Sequence, residues 1–432
     1  MSPPHTRPSV IERARELLIT GATNPLSVAS EALERANSNN NANVYLAQNG
    51  AWTLAEASTL PQHFPDPAVR PPLYGLPVSL KDCFDLAGFP TTCGSRFYAE
   101  HNGMAPEDSW VAQRLRRQGA VITGKTHLHQ LAYGITGENA DYGDCAQPRN
   151  PAWLTGGSSS GAAASVQEGS AVAAIGTDTG GSIRCPAALC GLAGYRSSVG
   201  LGNWGGAAHL APSFDTLGWL FRDLRDSPLL ANALLDVPVV RHLPEQKIQI
   251  GCVDSPFLAD AEPQVVREFE AFKEAFHSLE IRVGSFDSGV WKDSFEIFAP
   301  IQASEASAIH AGFFDHFEPA IAERLAWGAS IPADELRHLR SRHESFRTSF
   351  DQLFESYDFL IVPCTPVSSL AIGANQSETR GRILRYTTPA SLAGTPVVAI
   401  PLDGAGVQLI GRHGNDAGLV AFAAYLGETL QQ

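Results

Sequence analysis

Three short segments of this chain hold residue types that can do chemistry. The first is LPVSLKDCFDLAG, an apolar stretch carrying Lys81, in a chain with only five lysines (Lys81, Lys125, Lys247, Lys273 and Lys292) that otherwise uses arginine. Arginine does not release its proton in a protein, whereas a buried lysine can lose its proton and serve as a base. A lysine paired with Asp82 or Asp85 at a strand end is the plainer alternative. The second segment is Gly156-Gly157-Ser158-Ser159-Ser160-Gly161. It fits the G-x-S-x-G pattern of a nucleophile elbow, with Ser159 as nucleophile and His413 as late partner. An elbow follows a buried strand, and the preceding QPRNPAWLT, with Pro148 and Pro151, does not read as one. A flexible Gly/Ser loop is the other reading. The third segment is Thr177-Asp178-Thr179-Gly180-Gly181-Ser182-Ile183-Arg184, delivered by the apolar run AVAAIG and followed by Pro186 at the opening of a short helix. Consecutive glycines let backbone N–H groups converge on one point, as an oxyanion requires. A phosphate loop would need G-K-[ST] or Rossmann spacing, and neither is there.

Other candidates have simpler explanations. His127 and His129 are two apart with no HExxH, the pattern of packing or surface histidines rather than a metal pair. Cys185 and Cys190, without a Cys–His signature, read as packing residues. Trp204, His209, Phe313, Phe314 and Trp327 are candidates for an acyl pocket or for plain core. No metal and no cofactor is expected.

The elements that must position these segments alternate. Helices are expected from Val10 to Ile19 and from Ser27 to Ala36, with the Asn37 to Asn43 run as a loop. YGLPVSLKD and AVITGKT read as strands. Between them a helix capped by Asp108-Ser109 ends at Arg117 before Gly119, and HLHQLAYG reads as a short helix. This alternation indicates α/β layers. From Glu262 to Leu279, Val265, Val266, Phe269, Phe272 and Phe276 recur at helical spacing, and further helical patterns run from Gln302 to Leu325 and from Ala333 to Phe354. Strands return at FLIVPCTP, PVVAIPL and GVQLIGR, and a last helix runs from Asp416 to Leu430. Late strands after a helical insert imply one sheet closed by C-terminal segments.

Composition narrows the function classes. The chain has 432 residues, 44% hydrophobic and 18% charged, so it can bury a large core and is not a disordered chain. Its net charge of −14 argues against unaided binding to nucleic acid or anionic membrane. No export or membrane-spanning segment is expected: the N-terminus mixes prolines with charges, and Gln167-Glu168 interrupt the longest small-apolar stretch. Seven scattered cysteines, never in CxxC spacing, fit reduced thiols in a cytoplasmic protein.

Taken together, GLPVSLKDCFDLAGFPTTCGS, GAVITGKTHLHQLAYG, TGGSSSGAAASV, AIGTDTGGSIRCPAALCGLAGYR and PSFDTLGW resemble the motifs of the amidase signature family. The similarity is dense over about residues 73–226 and returns at TTPASLAGTPVVAIP. It implies a single amidase domain over 1–432, with the core at about 73–226, C-terminal strands in 357–432 and a variable helical layer at 227–356. The implied fold is α/β, a mixed twisted β-sheet covered by α-helices on both sides. The implied machinery is a Ser–Ser–Lys triad: Ser182 as nucleophile, Ser158 as bridging serine after a cis peptide, and Lys81 as base. Backbone N–H groups of Thr179, Gly180, Gly181 and Ser182 would form the oxyanion hole, supported by Ser159, Asp178 and Arg184. The chemistry is coherent, because a serine is a poor nucleophile until a base takes its proton, and lysine is a base near neutrality only if its ordinary pKa of ~10.4 is lowered.

The resemblance implies hydrolysis of a small-molecule amide through a seryl acyl-enzyme, by a homodimer. YGITGENADYG and SFDTLGWLFRD are most similar to plant-type amidases acting on indole-3-acetamide. The rivals are a glutamine-hydrolysing subunit of a tRNA-dependent amidotransferase, an aryl-acylamide, carbamate or ester hydrolase on the same triad, and a non-catalytic binding module. Intact Lys81, Ser158 and Ser182 speak against the last.

Overall fold

The computed structural model describes residues 7–38, 42–240, 248–279 and 281–430. The centre of the Asn run, 39–41, and Lys247 lie outside the described residues. The strands are β1 (Tyr45–Ala47), β2 (Pro77–Lys81), β3 (Val121–Thr126), β4 (Ala146–Gln147), β5 (Asn150–Leu154), β6 (Ala173–Asp178), β7 (Ala193–Arg196), β8 (Thr216–Phe221), β9 (Gln249–Val253), β10 (Arg282–Phe286), β11 (Phe359–Pro363), β12 (Val397–Leu402) and β13 (Ala405–Gly411). Eleven of them form one mixed sheet in the order β1-β3-β2-β6-β8-β7-β12-β13-β11-β9-β10, and β4 pairs with β5 in a separate hairpin. The pairs β2/β3, β2/β6, β9/β10 and β9/β11 are parallel and the remainder antiparallel.

Successive strand residues face opposite sides of a sheet, and both sides of this one are buried. Ala174, Leu220 and Ala399 enter a small-residue core with Ala162, Ala163, Ala187 and Ala188. Those alanines lie on the helices Ser160–Glu168 and Arg184–Cys190. Ile175, Trp219, Phe221 and Val398 point the other way, into the larger core. Small side chains on the first face let the two short helices approach the strands closely. Ser158 and Ser182 each stand just before the start of one of these helices, so the close packing fixes both.

Most expected elements form within a residue or two: Val10–Thr20, Pro25–Ser38, the helix Trp110–Arg117 capped by Ser109, and all three late strands. Three expectations need correction. HLHQLAYG makes only a single 3₁₀ turn, Gln130–Ala132, with Leu131 at a positive φ of 55°. The pattern from Gln302 to Leu325 is two helices, Ser294–Ile309 and Pro319–Ser330, separated by a turn at Gly312 (φ 89°). The middle region is not purely helical, because β9 and β10 extend the sheet by two parallel strands. QIGCV is too short for periodicity to separate strand from helix. TTPASLA, to which no element was assigned from sequence, lies inside a long helix, Ser377–Ala393, although Pro389 and adjacent threonines argue locally against one. Burial of Ile383, Leu384, Tyr386 and Leu392 overrides that preference.

Gly161 tests the close packing. A Cβ there would run into the Val44 carbonyl and the backbone of His127. Gly161→Ala is expected to destabilise the fold by roughly 1–3 kcal/mol, as overpacking does, seen as a lower melting temperature. An unchanged melting curve would contradict it.

Candidate active site

Because β2 and β6 are parallel neighbours, their carboxyl ends open on the same edge of the sheet, where α/β folds place ligands. Lys81 ends β2 and Asp178 ends β6. Lys81 is fully buried. Its Nζ donates to Ser158 Oγ at 2.8 Å, Ser159 Oγ at 3.0 Å and Thr177 Oγ1 at 2.8 Å. The strand-end ion pair weighed for Lys81 belongs to its neighbour instead: Asp82 pairs with Lys125 at 2.7 Å, and Asp85 accepts from Thr91 Oγ1 at 2.7 Å. Burial pushes the Lys81 ammonium below its ordinary pKa, and Cys83, Asp178 and Asp215 act the other way. Three hydroxyl partners suit either protonation state, since an ammonium has three donors and a neutral amine keeps one lone pair that a hydroxyl can donate to.

Ser158 follows a cis Gly157–Ser158 peptide bond and is fully buried. Its segment is tied on both sides: Gly157 N–H donates to Ile135 O at 2.8 Å, and Ser159 N–H donates to Ser182 O at 3.2 Å. That last bond joins the Gly/Ser segment to the loop bearing Ser182, which is 4% exposed.

Asp178 organises this loop. Its Oδ1 accepts from Gly181 N–H (2.9 Å), Arg184 Nη2 (2.8 Å) and Arg196 Nη1 (2.9 Å), and its Oδ2 from Ile183 N–H and Arg184 Nε (both 3.0 Å). Burial alone would raise the carboxyl, but the two guanidiniums and these hydrogen bonds hold it well below the usual carboxylate range. Arg184 also donates to Thr387 O, Gln408 Oε1 and Ser391 Oγ, binding the loop to the C-terminal part of the chain. Gly181 has φ 121°, and a Cβ on it would meet Thr387 and Ile135. Thr179 Oγ1 donates to Asp215 at 2.6 Å.

Lys81, Ser158 and Ser159 are thus joined directly, and Asp178 and Arg184 close around the loop Thr179–Ser182. Gly181 N–H is committed to Asp178. The Ser159–His413 elbow is not formed: Ser159 faces Lys81 and Thr177 O, while exposed His413 bonds Val199 O at 3.2 Å. His127 Nε2 donates to Gly143 O, its pKa lowered by burial to about 4, and His129 faces Glu318 at 3.4 Å. Among the described residues no group of three His, Cys, Asp or Glu side chains is placed to hold a metal. Burial pushes the Cys185 thiol up to about 12, and both Cys185 and Cys190 donate to backbone carbonyls. Of the pocket aromatics, Trp204 stacks on His209, Phe313 packs on Phe97, and Trp327 is 45% exposed. The side chains against Gly180 and Gly181 are Ile135, Phe298, Leu384 and Thr387. Sequence reading missed these, and also Thr177, Arg196 and Asp215. Thr177, Arg196 and Asp215 each carried a usable signal, since Thr177 precedes Asp178, Arg196 ends the GLAGYR run and Asp215 lies in PSFDTLGW.

Among known proteins, the Amidase family model matches residues 27–420. The chain is 28% identical over 445 residues to a glutamyl-tRNA(Gln) amidotransferase subunit of Synechococcus sp. (strain RCC307), covering 91% of each. It is 30% identical over 443 residues to AtzE, the 1-carboxybiuret hydrolase subunit of Pseudomonas sp. (strain ADP), covering 93% of this chain and 94% of that one. A solved structure described as an amidase superposes with a TM-score of 0.87 at 30% identity, over 96% of this chain and 98% of the other.

The Asp178 clamp has a pH signature. A carboxyl held below its unfolded value contributes stability above that value and loses it as pH falls through the folded one. Asp178→Asn leaves two buried guanidiniums short of their counter-charge and is expected to cost about 3–5 kcal/mol near neutrality. The gap to the parent protein should be flat above about pH 5 and narrow below about pH 4. Urea unfolding across a pH series measures it, and a gap that widens on acidification would contradict the assignment.

Proposed function

The chain belongs to the amidase family, hydrolases of amide C–N bonds, and on that footing we propose that it cleaves small-molecule amides through an acyl-enzyme on Ser182. The observation that carries this reading is a fully buried Lys81 held by hydroxyls instead of a carboxylate. An amine in that setting is cheaper to keep neutral than one beside a counter-ion, so it can accept a proton. In the proposed sequence Ser182 Oγ attacks the scissile carbonyl while its proton passes through Ser158 Oγ to Lys81 Nζ. The oxyanion is met by the N–H groups of Thr179, Gly180 and Ser182, with Gly181 N–H holding Asp178 in place. The proton then returns along the same path to the departing nitrogen, releasing ammonia or an amine. Water repeats the cycle on the acyl ester. Ser159 orients the lysine, and Asp178 with Arg184 fixes the loop.

We read 1–432 as one amidase domain, because β11, β12 and β13 lie in the same sheet as the strands of the core. Seven free, buried cysteines support a reducing, cytoplasmic setting, and among the described residues no helix is long and apolar enough to cross a membrane. A homodimer is the assembly we propose. The similarity to the glutamyl-tRNA(Gln) amidotransferase protein favours one second reading, hydrolysis of glutamine within a larger complex. A screen of alkyl, aryl and primary amides, with indole-3-acetamide and glutamine included and released amine quantified, separates these. Ammonia from free glutamine alone would favour the second, and turnover of esters or carbamates would widen the first.

Ser182→Ala should lose several powers of ten in rate with its melting temperature retained. A variant keeping more than about a hundredth of the activity would remove Ser182 as nucleophile.

Lys81→Arg keeps the charge but cannot release the proton, so it should be as inactive as Lys81→Ala. In the parent enzyme activity should rise with pH along a limb set by the lowered lysine and its coupled hydroxyls. Steady-state rates for both variants decide it, and an active arginine variant would sink the mechanism.

A further inference from the structure

The backbone donors of the proposed oxyanion site all come from Thr179 to Ser182, and the two central residues are glycines with no side chain to hold them. Asp178 fixes Gly181 N–H, and Thr387 Oγ1 donates to Gly180 O. The start of the loop is held differently. β6 and β8 are antiparallel with Asp178 opposite Thr216, so one step past the end of β6 Thr179 comes opposite Asp215. Thr179 Oγ1 donates to Asp215 Oδ1 at 2.6 Å, and both residues are buried. A hydrogen bond to an ionised acceptor is shorter and stronger than one between neutral groups.

Asp215 is itself fixed from several directions. Its Oδ2 accepts from Leu210 N–H at 3.0 Å, and both oxygens accept from Ala211 N–H at 3.1 Å. Half-buried His209 places Nδ1 2.9 Å from Oδ2 and stacks its ring on Trp204. Just before Asp215, Ser213 N–H donates to Glu305 on the helix Ser294–Ile309 at 2.9 Å, and Phe214 O accepts from Arg196 Nη2 at 3.3 Å. A carboxylate held by this many fixed donors has little choice of position, so its bond to Thr179 places the threonine rather than the reverse. The proton path runs elsewhere, through the hydroxyls around Lys81.

We propose that Asp215 is a positioning residue for the oxyanion site: by holding the Thr179 side chain it aims Thr179 N–H, and the Gly180 peptide that follows, at the point where negative charge develops on the scissile carbonyl oxygen. Aimed donors matter most when that charge forms, so their loss falls on kcat rather than on KM. This role rests on the acyl-enzyme reading of Ser182. Its test does not depend on amide turnover alone.

Two assays on the full chain test it. In amide hydrolysis Thr179→Val, which keeps the shape and loses the hydroxyl, should lower kcat roughly ten- to a hundredfold with KM within about threefold. Thr179→Ser restores the hydroxyl and should stay within about threefold of the parent. In an Asp215→Ala background Thr179→Val should cost much less than it does alone, because both changes remove one interaction. If Asp215→Ala does not fold, the two threonine variants decide. The second assay needs no amide. A fluorophosphonate labels a reactive serine as its Oγ–P bond forms and the P–F bond breaks, with the phosphoryl oxygen where the oxyanion would lie, and intact mass follows the rate. Labelling of Ser182 should slow roughly tenfold or more in Thr179→Val and not in Thr179→Ser. Equal rates for the parent and Thr179→Val, an equally impaired Thr179→Ser, or a loss confined to KM would overturn the role, while amide turnover by the parent left the amidase reading standing. Labelling that depends on the Thr179 hydroxyl, without hydrolysis of any amide, would uphold the role and remove the amidase reading. A parent protein that neither turns over amides nor takes the label would overturn both.

Discussion

An amine taken wholly out of water and given only hydroxyls for company is the constraint around which this structure is arranged. Lys81 has Ser158, Ser159 and Thr177 as partners. Lys125, one strand away and equally buried, has Asp82. The contrast separates two uses of one residue type. A lysine with a carboxylate is held as a cation, and removing either partner strands a buried charge. A lysine with hydroxyls sits in a pocket that supports its neutral form as well. Meeting that condition takes a parallel strand pair, to bring Thr177 alongside Lys81, and a segment folded back to present two successive serines.

Asp178 does for the loop what those hydroxyls do for the lysine. One carboxylate collects two guanidiniums and the N–H groups of Gly181 and Ile183, so the chain between β6 and the following helix has little freedom left. The cost of burying three charges is offset because each has partners on more than one side. Through Arg184 the clamp extends to Thr387, Ser391 and Gln408, more than two hundred residues further along the chain. The late strands and the helix Ser377–Ala393 are therefore part of the site's framework as much as the Gly/Ser-rich motifs are.

The middle of the chain serves differently. Its strands β9 and β10 only lengthen the sheet, whereas its helix Ser294–Ile309 brings Phe298 against Gly180 and onto the ring of Phe214. Those contacts shape what can lie against the loop without touching the proton path. Sequence reading caught the helical character of this region from its recurring aromatics and missed its strands, because five residues such as QIGCV show no period long enough to interpret.

How much was legible follows from which interactions are local. Lys81 in an apolar stretch, the serines at 158 and 159, and the TDTGGS loop announce themselves, because glycines, a rare lysine and clustered hydroxyls are unusual within a short window. The alternating strands and helices around them are local too, and most formed where periodicity placed them. What tertiary structure alone decided is pairing across distance. It gave Asp82 to Lys125 and not to Lys81, and carried His413 away from Ser159 to the carbonyl of Val199. It added Arg196 and Asp215 to the loop and overrode Pro389 to build a helix. None of these can be read along the chain, since each depends on which strands become neighbours, and that order is set by burial of two sheet faces at once rather than by the sequence of any one segment.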